Sequence, residues 1–183
     1  MTTPSTPNRA KQERYARAHE RLTLALEHGF YIEAAMICES IITDRLHSHL
    51  HWRVEVAGLC TLDEVVARLG QDRRFRKNPP QISLTKPSSL FVLILAMGLD
   101  FDDLGLERHR DLLRRLNHWR EERNKITHNI TYTRPHLKSY DEAFGEFMAT
   151  AETCAKDGKV LVGALTDWDR AVRRRHHREG HAG

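Results

Sequence analysis

The chain has 183 residues, enough to bury a substantial core, and its 40% hydrophobic and 30% charged residues are a balance suited to a soluble, helix-rich fold. Its formal charge of +4 is modest, yet 22 of the 29 basic residues are arginine, whose planar fork suits phosphate and carboxylate. Genomic composition explains such a bias equally well, so charge alone names no partner. Cys38, Cys60 and Cys154 lie far apart without a CxxC pair, which argues against a zinc knuckle or disulfide framework and for reduced thiols in a cytoplasmic protein.

The first residues, "MTTPSTPNRAKQER", lack the apolar stretch of a signal peptide, and residues 1–8 are expected to be a disordered leader. A charged helix is predicted from about Asn8 to His28, with Tyr15, Ala18, Leu22, Ala25 and Leu26 on one stripe and Gly29 as its stop. A second helix over 30–50 carries Ile32, Ala35, Glu39, Ile42, Leu46 and Leu50 at steps of three and four, with Met36 alongside. Residues 61–70 form a short helix, capped by the box Thr61/Glu64 and closed at Gly70. The basic loop "QDRRFRKNPPQISLTKP" follows, and Ser88 or Ser89 then caps an apolar helix reaching Gly98. That run, "LFVLILAMGL", is about half the length needed to span a bilayer, so it is expected to be a core helix and no membrane association is expected.

The next helix is predicted to begin near Leu106 and to end at "TRP", 133–135. Its stripe is Leu112, Leu116, Trp119, Arg123, Ile126 and Ile130. Ser139 and Glu142 make another capping box, after which Tyr140, Phe144, Phe147, Ala151, Cys154, Gly158, Leu161, Leu165, Trp168 and Val172 stay in phase. One long helix is expected, with a kink at Gly158 allowed, and "RRRHHREGHAG" is expected to fray. Period-two alternation is missing throughout. The predicted fold is all-α: an antiparallel bundle of four to five helices forming one domain over 9–176, with an inserted helix and basic loop at 59–88 and a basic tail at 177–183.

Two stripe positions break the apolar pattern, Glu39 and Arg123. Each charge is costly on a core-facing position unless it is paired, so the two are expected to meet or to line one cavity. An ion pair that only fixes helix register would satisfy this requirement, and so would a functional site. His128 lies five residues beyond Arg123, about 140° around the helix and ~7.5 Å along it, so the pair does not share a face. Asn124 and His128, four apart, do. An arginine five to seven residues before a histidine carries little information by itself, since Arg14/His19, Arg21/His28 and Arg45/His51 also show it.

"RNKITHN" resembles the R-x4–6-H motif of the HEPN superfamily, in which a polar residue typically follows the arginine. "GFYIEAAMICESIITDRLHSHL" resembles that family's second helix, and the likeness covers about residues 20–155. The resemblance implies a helical bundle, usually homodimeric, that in many members is a metal-independent endoribonuclease of toxin–antitoxin or antiviral-defence systems. Other members are non-catalytic and bind nucleotides or proteins. Carried onto this chain, Arg123 and His128 match the motif and Asn124 its polar position, with Glu39 orienting Arg123. No cofactor is implied, and the partners expected are RNA, a second copy of the chain and a cognate antitoxin protein. The residue types suit cleavage by the RNA's own 2′-hydroxyl, with histidine moving the proton and arginine holding charge on the phosphate. One branch of the family is silenced by modification of a tyrosine at H-x-Y. Here Ile130 occupies that place and Tyr132 comes two positions later, which puts such control in doubt.

Arg73, Arg74, Phe75, Arg76 and Lys77 could grip RNA backbone and stack a base, or form a solvated loop. His47 and His51 share a helical face, but no third ligand accompanies them and no metal site is expected.

Overall fold

The computed structural model describes residues 7–86, 88–99, 110–129 and 139–179, the side chains of Pro7, Asn8, Asn129 and Glu179 excepted. The fold is an all-α helical bundle with no strand among the described residues. Its helices are α1 (Pro7–Glu27), α2 (Tyr31–His51), α3 (Leu62–Gly70), α4 (Leu90–Met97), α5 (Arg110–Asn129) and α6 (Tyr140–Glu179). None of them is long and apolar enough to cross a membrane. The expected leader over 1–6, the helix start near Leu106, the stop at 133–135 and the last four residues lie outside the described residues. Pro7 and Asn8, also assigned to the leader, are helical, with proline at the first position of α1, where its missing N–H costs nothing.

The punctuation read from the sequence is present in atomic detail. Thr61 Oγ1 accepts from the Glu64 N–H at 3.2 Å, and the Glu64 carboxylate accepts from the Thr61 N–H at 2.7 Å. Ser139 and Glu142 reciprocate in the same way at 3.1 and 3.3 Å. Gly29 ends the first helix with φ at 71°, a conformation that side-chain-bearing residues avoid. Of the two serines before α4, Ser89 is the cap, accepting from the Val92 N–H, while buried Ser88 accepts from the Ser83 N–H.

The structured chain divides into two compact units, residues 1–41 with 122–159 and residues 42–121 with 160–183. The first has a core of small side chains, with Ala34, Ala35, Cys38, Ala151, Cys154 and Ala155 all buried beside Leu22 and Ile126. Burial at Cys38 pushes its thiol up to about 12, with Cys154 adding to the shift and Lys159 opposing it. The second unit buries larger groups, among them Ile42, Leu46, Leu50, Trp52, Leu69, Leu93, Met97, Leu116, Trp119, Leu165 and Trp168.

Three features depart from expectation. Immediately after α2 comes a π turn over Trp52–Val56, which the sequence does not announce. Met36, alongside the α2 stripe, is exposed, as are Tyr140 and Phe144 at the start of the α6 stripe, where the two rings stack with centroids 6.1 Å apart. The basic tail, expected to fray, is helical to Glu179, and its first part is held in place. Arg173 is bound to Asp169, and the His176 ring lies 5.3 Å edge-on to Trp52.

The small-residue core of the first unit predicts that Ala34→Leu destabilises the protein by about 1–3 kcal/mol through overpacking, read as a lower urea midpoint. An unchanged midpoint would mean that this face has room to spare.

Candidate functional site

Glu39 and Arg123 do meet. The Arg123 Nη2 is paired with Glu39 Oε1, with side chains 15% and 28% exposed respectively. The apolar steps of α2 and α5 carry both charges inward, and each is the counter-ion that makes the other's position tolerable. Burial lowers the Arg123 pKa from the ordinary arginine value, and charge at Cys154 partly offsets that. Its Nε is buried without a hydrogen-bond partner.

The rest of the motif is less enclosed. Asn124 is half-buried and His128 is exposed. Thr127 lies between them, its hydroxyl donating to the Arg123 carbonyl at 2.8 Å and the Asn124 carbonyl at 3.3 Å, which ties side chain to backbone within the last turns of α5. Lys125 is paired with Glu122 at 2.6 Å and takes no part. Arg123 and Glu39 thus come together, whereas His128 is presented outward from the same helix. Ile130 and Tyr132 lie outside the described residues.

The basic loop belongs to the second unit. Residues Arg73–Phe75 form a 3-10 turn capped by Asp72. Arg74 donates to Asp72 through Nε at 2.9 Å and Nη2 at 2.5 Å, and this bonding draws the Asp72 carboxyl down to about 2. Phe75 is half-buried, its ring 6.2 Å from that of Phe91, which also receives the guanidinium groups of Arg74 and Arg120 at 5.3 and 4.7 Å. Arg73, Arg74, Arg76, Lys77 and Lys86 of the loop are all exposed, Arg74 being the one held by Asp72. His47 donates through Nε2 to the Ser83 carbonyl at 2.8 Å, and His51 is exposed. Among the described residues no three His, Cys, Asp or Glu side chains converge as a metal would require.

The sequence matches no family model and no curated protein, and the fold matches no solved structure. The arrangement therefore has to be read from its own chemistry.

That chemistry includes a cluster which the sequence reading missed, in the second unit. His49 is fully buried and donates through Nδ1 to Asp169 Oδ1 at 2.7 Å, while Arg173 donates through Nε to the same oxygen at 2.8 Å. Arg45 stands 3.9 Å from the other carboxylate oxygen, and Arg173 also donates to the Ser48 carbonyl at 3.3 Å. The His49 ring sits 4.3 Å from Trp168 and 5.3 Å from Trp52, and its Nε2 has no hydrogen-bond partner. A signal for it existed. From Ile42, steps of four, three and four reach Leu46, His49 and Arg53, but the apolar reading went from Leu46 to Leu50 and passed His49 by.

Burial lowers the His49 pKa, outweighing the pull of Asp169, and nearby Arg173 and Arg53 act in the same direction as burial. Burial would raise the Asp169 carboxyl, but hydrogen bonds from His49 and Arg173 win and its pKa is lowered. Both shifts favour the folded state at neutral pH. The His49 contribution is complete above the unfolded value of 6.5 and is lost as pH falls below it, and that of Asp169 is lost in turn below 3.8.

Two measurements follow from these pairings. The urea midpoint should hold steady above about pH 6.5 and decline below it, with His49→Gln flattening that first decline; an identical slope in the variant would assign the decline elsewhere. Glu39→Ala should cost about 1–3 kcal/mol, discounted from a fully buried pair because both groups retain some solvent. Adding Arg123→Met should recover most of that loss, and additive losses would show that the two side chains are not coupled.

Proposed function

We propose that this chain is a metal-independent endoribonuclease of the HEPN type, in a toxin or defence setting, whose site is completed when a second copy brings two motif-helix ends together. The observation that supports this reading is an arginine fixed by a carboxylate on the core-facing stripe of α5, with a histidine left solvent-facing five residues later on the same helix. A guanidinium so anchored cannot rotate away, and in the proposed dimer it provides the fixed positive charge that a phosphorane-like transition state needs. His128 on each helix end is accessible to take or give the proton of the 2′-hydroxyl. The exposed Tyr140 and Phe144 pair, in the same unit, is apolar surface that a second copy would cover. Arg73, Arg76 and Lys77 would attract the RNA backbone without reading its sequence, and a cognate antitoxin protein would hold the dimer silent.

One observation favours a second reading. Arg123 is already neutralised within its own chain, as it would be in a non-catalytic binding or regulatory module built on the same bundle.

The test is incubation of the purified protein with single-stranded RNA in excess EDTA. The enzyme reading expects fragments ending in 2′,3′-cyclic phosphate, and a loss of about 10²–10⁴-fold in rate for His128→Ala, an exposed position whose replacement leaves folding intact. Cleavage undiminished in both His128→Ala and Arg123→Ala would overturn the site. RNA or protein binding without any cleavage would establish the second reading.

A further inference from the structure

The loop between α3 and α4 combines a cavity with an excess of positive charge. Residues 71–86 carry five cations, Arg73, Arg74, Arg76, Lys77 and Lys86, against the single carboxylate of Asp72. That surplus equals the formal charge of the whole chain, +4. Asp72 is already committed, since both its oxygens accept from Arg74 and the charge of Arg73 also acts on it. Arg76 and Lys77 are exposed and have no ion-pair partner among the described residues. A polyanion is the complement that this segment lacks.

The cavity has a volume of about 360 Å³ and lies within the second unit, with Arg74, Phe75, Asn78, Pro80, Gln81 and Ser88 in its lining. The half-buried Phe75 ring is braced by Phe91 at 6.2 Å, and the adjacent Pro79 and Pro80 restrict the backbone. The wall is therefore formed before any ligand arrives. Asn78 and Gln81 are exposed, and their side-chain amides make no hydrogen bond among the described residues. Each amide sets a donor beside an acceptor, the pattern that pairs with the edge of a base. A ring to stack on, an edge to pair with and a cation for the phosphate are the three contacts that a nucleotide uses. An acidic peptide uses only the last of them.

We propose that this cavity takes one unstacked base of a single-stranded RNA. The base stacks on Phe75, its edge bonds to Asn78 and Gln81, and Arg76 and Lys77 hold neighbouring phosphates. The loop's cations outnumber what one phosphate engages, so the ligand is a strand rather than a free nucleotide. A duplex keeps its bases stacked and offers the loop only its phosphates. Single-stranded DNA shares the base and phosphate chemistry, and RNA is chosen by the ribonuclease reading on which this inference rests. Cleavage is not required for it, since none of these residues belongs to the Arg123–His128 motif.

Binding of a short labelled RNA, single-stranded or duplex, is followed by fluorescence anisotropy on the full chain carrying His128→Ala, so that the strand stays intact. Phe75→Leu keeps an apolar contact with Phe91 but removes the aromatic face. It should weaken single-strand binding about tenfold and leave duplex binding unchanged, which also reports that the loop is still folded. Arg76→Gln with Lys77→Gln should weaken both and lower the single-strand salt slope by about 1.4, the weight of two phosphate contacts. Single-strand binding unaltered by Phe75→Leu, or an equal loss on the duplex, would overturn the proposal. So would competition by polyglutamate or a mononucleotide as effective as by the strand, or tighter binding of DNA of the same sequence. Phe75-dependent binding by a chain that never cleaves RNA would leave the cavity standing and remove the enzyme, whereas His128-dependent cleavage with Phe75-independent binding would do the reverse.

Discussion

A guanidinium on a core-facing helical stripe must find an anion inside the fold, or the helix that carries it cannot dock. In the first unit Arg123 finds Glu39, and that requirement sets the register of α5 against α2. The neighbouring core positions are alanine and cysteine, which tolerate close approach but specify little by shape, since many small side chains fit one another about equally well. A one-turn slip would keep the small residues packed yet leave both charges stranded, at a cost that packing could not offset. The pair therefore provides the specificity that the small core lacks, and any chemistry at Arg123 begins from a guanidinium already oriented.

The second unit solves a related problem with other groups. Asp169 is buried on α6 and collects donors from His49 and Arg173, with Arg45 close by. Around it the rings of Trp52 and Trp168 exclude water from the imidazole, which accounts for a neutral histidine beside an ionised carboxylate. The π turn is part of the same solution. His49, Leu50, Trp52 and Arg53 are all buried, and the π turn, with more residues per turn, sets consecutive side chains such as Trp52 and Arg53 at a smaller angle around the helix axis.

Much of this was legible in the sequence, because the relevant forces are local. Capping boxes at Thr61/Glu64 and Ser139/Glu142 need only residues three apart, and the long phase of α6 survives Gly158 and continues to Glu179. The Glu39–Arg123 pair was legible because each charge interrupts an apolar stripe and has the opposite sign. The His49–Asp169 cluster was harder to read, since a polar residue beside a leucine on the same arc can always be assigned to the outer face. Arg173 was hidden for a different reason: a run of arginines and histidines reads as solvated unless a carboxylate such as Asp169 one turn earlier is known to be buried. Burial of Phe75 against Phe91 depends on a contact between residues sixteen apart through an irregular loop, and no periodicity reports it.

The account rests on Arg123 being held by Glu39 in the free protein, with its Nε–H shielded from water. Solvent exchange of arginine Nε–H protons, followed by ¹H–¹⁵N NMR at neutral pH, tests this directly. A guanidinium so held gives an Nε–H resonance that exchanges far more slowly than those of the exposed arginines and loses that protection in Glu39→Gln. Exchange at the rate of the exposed arginines, or protection unaffected by Glu39→Gln, would contradict it.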